Sequence, residues 1–116
     1  MSIERLHSGS RMSQAVIHGD TVYLAGQVAA DAPGASVAEQ TKDTLKHIDK
    51  LLAEAGTDKS KLLSATIWLS DIRDFDEMNE VWDAWVASGN APARACVEAK
   101  LAATVFNVEI GVIAAR

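Results

Sequence analysis

Cysteine is nearly absent from this chain. Its single copy, Cys96, excludes an internal disulfide. That economy fits a reducing compartment, and the expected location is the cytoplasm. Positive charge is also short: 11 Lys and Arg stand against 16 Asp and Glu, a net −5. Such a field repels phosphate backbones, which disfavours nucleic acid as a general partner. One cleft can still focus positive potential, so small anionic ligands remain open. No apolar run approaches membrane-spanning length, and Met1–Leu6 lacks the apolar core of a leader, so no membrane partner is expected. The three histidines, His7, His18 and His47, make no metal-binding spacing and read as surface or packing residues. Repeats, low-complexity tracts and linkers are missing too. What remains is 116 residues, 48% of them hydrophobic, enough for one domain, 1–116, with its own core.

The elements follow from periodicity. Ile3–His7 and Gln14–His18 read as strands, and Gly19-Asp20 as a tight hairpin turn into Thr21–Ala25. Gly26 marks a bulge or a close backbone approach. Ser36-Val37-Ala38-Glu39 has the form of a capping box, in which hydroxyl and glutamate each take a free amide. Thr41, Leu45, Ile48, Leu52 and Ala55 then recur at helical spacing, and Gly56 ends the run. Leu62–Ser70 alternates as a strand with Leu63, Ala65, Ile67 and Leu69 on one face. A second helix begins near Asp74, with Asp74 and Glu77 repeating the capping logic. Phe75, Met78, Trp82, Trp85 and Val86 form its stripe, and Gly89 stops it. Trp82 and Trp85 read as core.

The last two strands carry the charges that matter. Along Ala91–Glu98, Arg94, Cys96 and Glu98 share a face. Along Phe106–Val112, Phe106, Val108, Ile110 and Val112 form an apolar face, with Asn107, Glu109 and Gly111 opposite. Placing Arg94 and Glu109 both away from the core gives a second sheet face of Ser64, Thr66, Trp68, Arg94, Cys96, Asn107 and Glu109, mixed with Ile113. That face is too polar for a dry core and too apolar for water alone. Association between copies would resolve it.

Pro92-Ala93-Arg94-Ala95-Cys96-Val97, followed by Val108-Glu109-Ile110, resembles the RidA/YjgF family. Ala25-Gly26-Gln27, Asp71–Phe75 and Asn79 support the match, and Arg11–His18 looks like a YoaB-type branch. The resemblance implies a chorismate-mutase-like α+β fold: a six-stranded mixed sheet with two helices on one face, assembled as a homotrimer with clefts between subunits. It implies hydrolysis of enamines and imines, such as 2-aminoacrylate, to 2-oxo acids and ammonia. The partner is then a small imino or 2-oxo acid, with no metal and no organic cofactor. Two other readings stand beside it: a non-catalytic binder of 2-oxo acids and, less favoured, an endoribonuclease.

Residue chemistry fits that implication. A planar guanidinium at Arg94 can grip a carboxylate with two parallel hydrogen bonds. Glu109 can orient or deprotonate a water. Thr66 and Trp68 would floor the cleft, with packing between subunits equally open for Trp68; Cys96 reads as a small buried residue that, by resemblance, contributes mainly its backbone. Asn79 reads as structural support more than as a ligand contact, although both roles are open. By resemblance, the Leu62–Ser70 strand separates the two motif strands by roughly two spacings, ~10 Å. A direct hairpin would instead bring Arg94 opposite Glu109, where they would neutralise each other, and a structural ion pair between the two at a subunit interface is the other open reading. Three departures from the family pattern stand out. Ala25 replaces a serine, no pocket tyrosine is present, and Ala102-Ala103 replaces a proline.

Overall fold

Gly19, at φ +60°, turns the chain within two residues, so His18 pairs directly with Thr21. A computed structural model describes residues 1–116. Strands β1 (Ile3–Leu6), β2 (Ala15–His18) and β3 (Thr21–Leu24) form an antiparallel meander. A two-residue β4 (Gln27–Val28), unforeseen in the sequence, follows. Helix α1 (Val37–Glu54), β5 (Leu62–Leu69), α2 (Phe75–Trp85), β6 (Ala93–Glu98) and β7 (Val108–Ala115) complete the chain. The sheet runs β1-β2-β3-β7-β5-β6, with β4 also on β7. Only β5 and β6 are parallel, and that pairing requires the crossover that α2 supplies.

The two helices pack on each other and on one face of this mixed sheet. Leu45, Ile48 and Leu52 of α1 meet Met78 and Trp82 of α2 over Ile67, Leu69, Val108 and Ile110, all buried. Gly56, at φ +81°, turns the chain beyond α1 as expected.

Local chemistry departs from the sequence reading at several points. Ser36 Oγ does accept the Glu39 amide, at 3.2 Å. Glu39 does not reach back, because its carboxylate pairs with Lys42. The Ala38 amide is capped instead by Glu77 of α2, at 3.0 Å. Glu77 therefore ties the two helices together rather than opening its own. Asp74 makes no side-chain cap. A 3₁₀ turn, Ile72–Asp74, leads into α2, with Asp71 accepting from the Arg73 amide and guanidinium. Those hydrogen bonds hold the Asp71 carboxyl down at about 2. Helix α2 stops at Trp85, before Gly89, and Trp85 is only half-buried. Phe106 precedes β7 rather than belonging to it. Leu63 is exposed and Leu62 buried, because a register irregularity between Leu62 and Ser64 reverses the alternation there.

Gln40 was overlooked by periodicity, yet it is fully buried. Its amide donates to the Ala35 and Val105 carbonyls and accepts from the Asn107 amide. It thus staples the segment before β7 to α1. A Gln40→Leu substitution keeps the bulk and strands three backbone groups. With some rehydration of the loop, the expected cost is about 2–4 kcal/mol. Urea unfolding should show it as a lowered midpoint at unchanged slope. An unchanged midpoint would mean that water replaces all three bonds.

Candidate active site

Strand β5 lies between β6 and β7, so the direct hairpin between the motif strands does not occur. The register then decides which way each side chain points, because paired residues share a face. Arg94 is level with Ala65, and Ala65 with Val112, both buried beneath the helices. Cys96 is level with Ile67 and Ile110 in the same way. Arg94 and Cys96 thus stand on the helix side of the sheet, which corrects the placement on the helix-free face. Glu109 is level with Trp68, and Trp68 with Val97, on the opposite face. Strand β6 misled because Ala93–Glu98 lacks a strong apolar alternation, so its parity comes only from its neighbour. Within one chain, Arg94 and Glu109 are two strand spacings apart, offset by three residues, and on opposite faces. Each of the two in-plane offsets is roughly 10 Å.

Arg94 is exposed, and it is also held in place. Its Nη1 donates to Asn79 Oδ1 at 2.7 Å, its only hydrogen bond within the chain. The guanidinium carbon lies 5.4 Å from the Trp82 ring centre and 5.9 Å from that of Phe75. Neither Arg94 nor Glu109 enters an ion pair within the chain, so the intrachain pairing that a direct hairpin would give is absent. The Arg94 fork keeps most of its donors for a guest. Asn79 acts as its support. Cys96 packs against the core. Burial pushes its thiol up, and the nearby Arg94 only partly offsets that. A thiol so placed is a poor nucleophile.

Glu109 is half-buried. Gly26 explains its freedom, because a Cβ there would overlap the Glu109 carboxylate. The expected close approach at Gly26 is therefore to this side chain. A bulge accompanies it: Tyr23 to Gln27 takes four steps opposite three from Ile113 to Ile110. Trp68 covers Gly111, where a Cβ would lie 3.5 Å from the ring. Thr66 is level with Gly111 on the same face. Trp68, Thr66 and Glu109 are thus brought together, and Arg94, Cys96 and Asn79 form a separate group. On the same face of the sheet, Tyr23 and Val97 are 45% and 46% exposed, large values for such side chains.

Two other features lie elsewhere. A groove of 610 Å³ between α1 and α2 is lined by lysines and acids in equal number, Lys42, Lys46 and Lys59 with Asp49, Glu77 and Glu80. Asp31, Asp43 and His47 could together hold a cation, but His47 Nε2 already faces both carboxylates at 3.3 and 3.2 Å.

These features describe a class: a small α+β domain with two helices on one side of a mixed sheet and an anchored edge arginine. The chain matches the family model described as Endoribonuclease L-PSP over residues 2–116. It belongs to that family, also called RidA/YjgF. It is 44% identical over 115 residues to the RutC family protein YoaB of Escherichia coli (strain K12), covering 99% of each. It is 36% identical over 110 residues to a 2-iminobutanoate/2-iminopropanoate deaminase of Rattus norvegicus, covering 90% of this chain and 79% of the rat protein. A crystal structure of a YjgF family member from Neisseria meningitidis superposes with a TM-score of 0.96 at 46% identity, covering 100% and 96% of the two chains. No helix is long and apolar enough to cross a membrane.

Proposed function

We propose that the protein hydrolyses small 2-imino acids, with 2-iminopropanoate and 2-iminobutanoate as the substrate class, to 2-oxo acids and ammonia. The carrying observation is Arg94, a cation held by Asn79 with its remaining donors uncommitted. That fork suits the substrate carboxylate and draws electrons from the adjacent imine carbon. A carboxylate then takes a proton from water, and the oxygen bonds to that carbon. The C=N π pair moves to nitrogen, which takes the proton back from the carboxylate; the resulting carbinolamine then passes its hydroxyl proton, by way of the carboxylate, to the nitrogen as ammonia leaves and the carbonyl forms. Positioning and one base suffice for so reactive an electrophile, so neither metal nor organic cofactor is required.

The base is Glu109 of a neighbouring copy. Opposite-face placement supports this, since one chain cannot bring its own Glu109 to its Arg94. Tyr23 and Val97, exposed on the same sheet face as Trp68, support a face buried between copies, in a homotrimer with three shared clefts acting in the cytoplasm. Mixing inactive variants tests the whole reading. Arg94→Ala and Glu109→Gln proteins, each inactive alone, should regain ammonia release when unfolded together and refolded as mixed assemblies. No recovery in assemblies shown to be mixed would refute the shared site.

Ala25, where a serine is usual, favours one alternative, a 2-oxo acid binder without turnover. Saturable pyruvate binding in calorimetry, with no acceleration of imine loss, would select it. The net charge of −5 weighs against an endoribonuclease.

A further inference from the structure

Phe75, Asn79 and Trp82 stand at i, i+4 and i+7 on α2, which places them on one helical stripe. In the sequence, Phe75 and Trp82 read as part of the apolar helix stripe and Asn79 as structural support. The structure gives all three a common neighbour, the Arg94 guanidinium. Trp82 is buried, while Phe75 remains 37% exposed, a large apolar side chain left at the surface beside a charge.

We propose that Phe75, Asn79 and Trp82 are positioning residues that hold the Arg94 fork in its carboxylate-binding pose. This rests on the imine-hydrolase reading above and assigns a role to residues outside the reacting groups. The physics is additive. An exposed arginine is a long chain with many rotamers, and freezing it on binding costs affinity. Two aromatic rings near the guanidinium attract it through their quadrupoles and strip water from it. The Asn79 carbonyl then takes one N–H and so fixes the remaining rotation. The ring contacts also favour a flat delocalised cation over an ammonium, so lysine is a poor replacement.

The test separates positioning from folding. Phe75→Leu and Trp82→Leu remove a ring, and Trp82→Phe restores one. Each leucine variant should raise KM for 2-iminopropionate about 3–10-fold, the range expected for one partly desolvated cation–π contact, with kcat within about twofold. Trp82→Phe should recover most of that loss. Circular dichroism must show each variant folded. Unchanged KM in both folded leucine variants would overturn the proposal, as would Trp82→Phe behaving like Trp82→Leu. A readout independent of turnover is the Arg94 Nε–H resonance in ¹⁵N NMR. In the wild type it should be ring-current shifted and slow to exchange, and both features should weaken in the leucine variants. If wild type does not hydrolyse imines, the functional reading fails on its own, and this resonance still decides the cradle. A random-coil position in the wild type would refute it.

Discussion

An Arg94→Ala variant is expected to lose about 10²–10⁴-fold in kcat/KM for 2-iminopropionate while remaining folded. Each hydrogen bond between the fork and a carboxylate is charge-assisted and contributes about 1.5–3 kcal/mol. Two of them give about 3–6 kcal/mol, and each 1.36 kcal/mol is tenfold in rate. Both KM and kcat should suffer, because the same cation binds the ground state and polarises the reacting carbon. Stability should move little. Arg94 is exposed and contributes one hydrogen bond and its ring contacts to the fold. The decisive measurement is steady-state ammonia release from imine generated in situ, beside calorimetric titration with pyruvate. A variant that matches wild type in both would remove Arg94 from the site.

Glu109→Gln should behave differently. The amide keeps the shape beside Gly26 and Trp68 but cannot take a proton. A general base contributes about 10²–10⁴-fold, so kcat should fall by that factor. KM and pyruvate affinity should stay close to wild type, because the grip on the carboxylate is elsewhere. A rise in KM at unchanged kcat would make Glu109 a binding group and not the base. Local structure protects the comparison, since glutamine is isosteric and Gly26 leaves space for either side chain. Any bulk added at Gly26 would displace the same group.

The two variants rest on residues that a linear reading found for partly wrong geometric reasons. Arg94 and Glu109 stood out by their residue types and by resemblance. Their presumed common face did not survive, because Ala93–Glu98 carries too little apolar alternation to set its own parity. Asn79 was identified as support without its partner being visible. Phe75, Trp82 and Gln40 were taken as ordinary helix positions, or passed over. Arg94 lies 12 residues beyond Trp82 and 19 beyond Phe75, and Asn107 lies 67 beyond Gln40, all outside any local pattern.

The sequence by itself determined the two helices, the six longer strands in their order along the chain and the apolar faces of the helices, while β4 went unforeseen and Arg94 and Glu109 came from residue type and resemblance. The elements and their faces follow from periodicity and turn chemistry, which act over a few residues. That β5 separates the motif strands was implied by the resemblance and holds; tertiary structure alone decided that Arg94 faces the helices while Glu109 faces away, and that Glu77 and Asn79 serve other elements. The physical reason is pairing. A strand's neighbour and register are set by hydrogen bonds between distant segments, and a one-residue change in register moves every side chain to the other face.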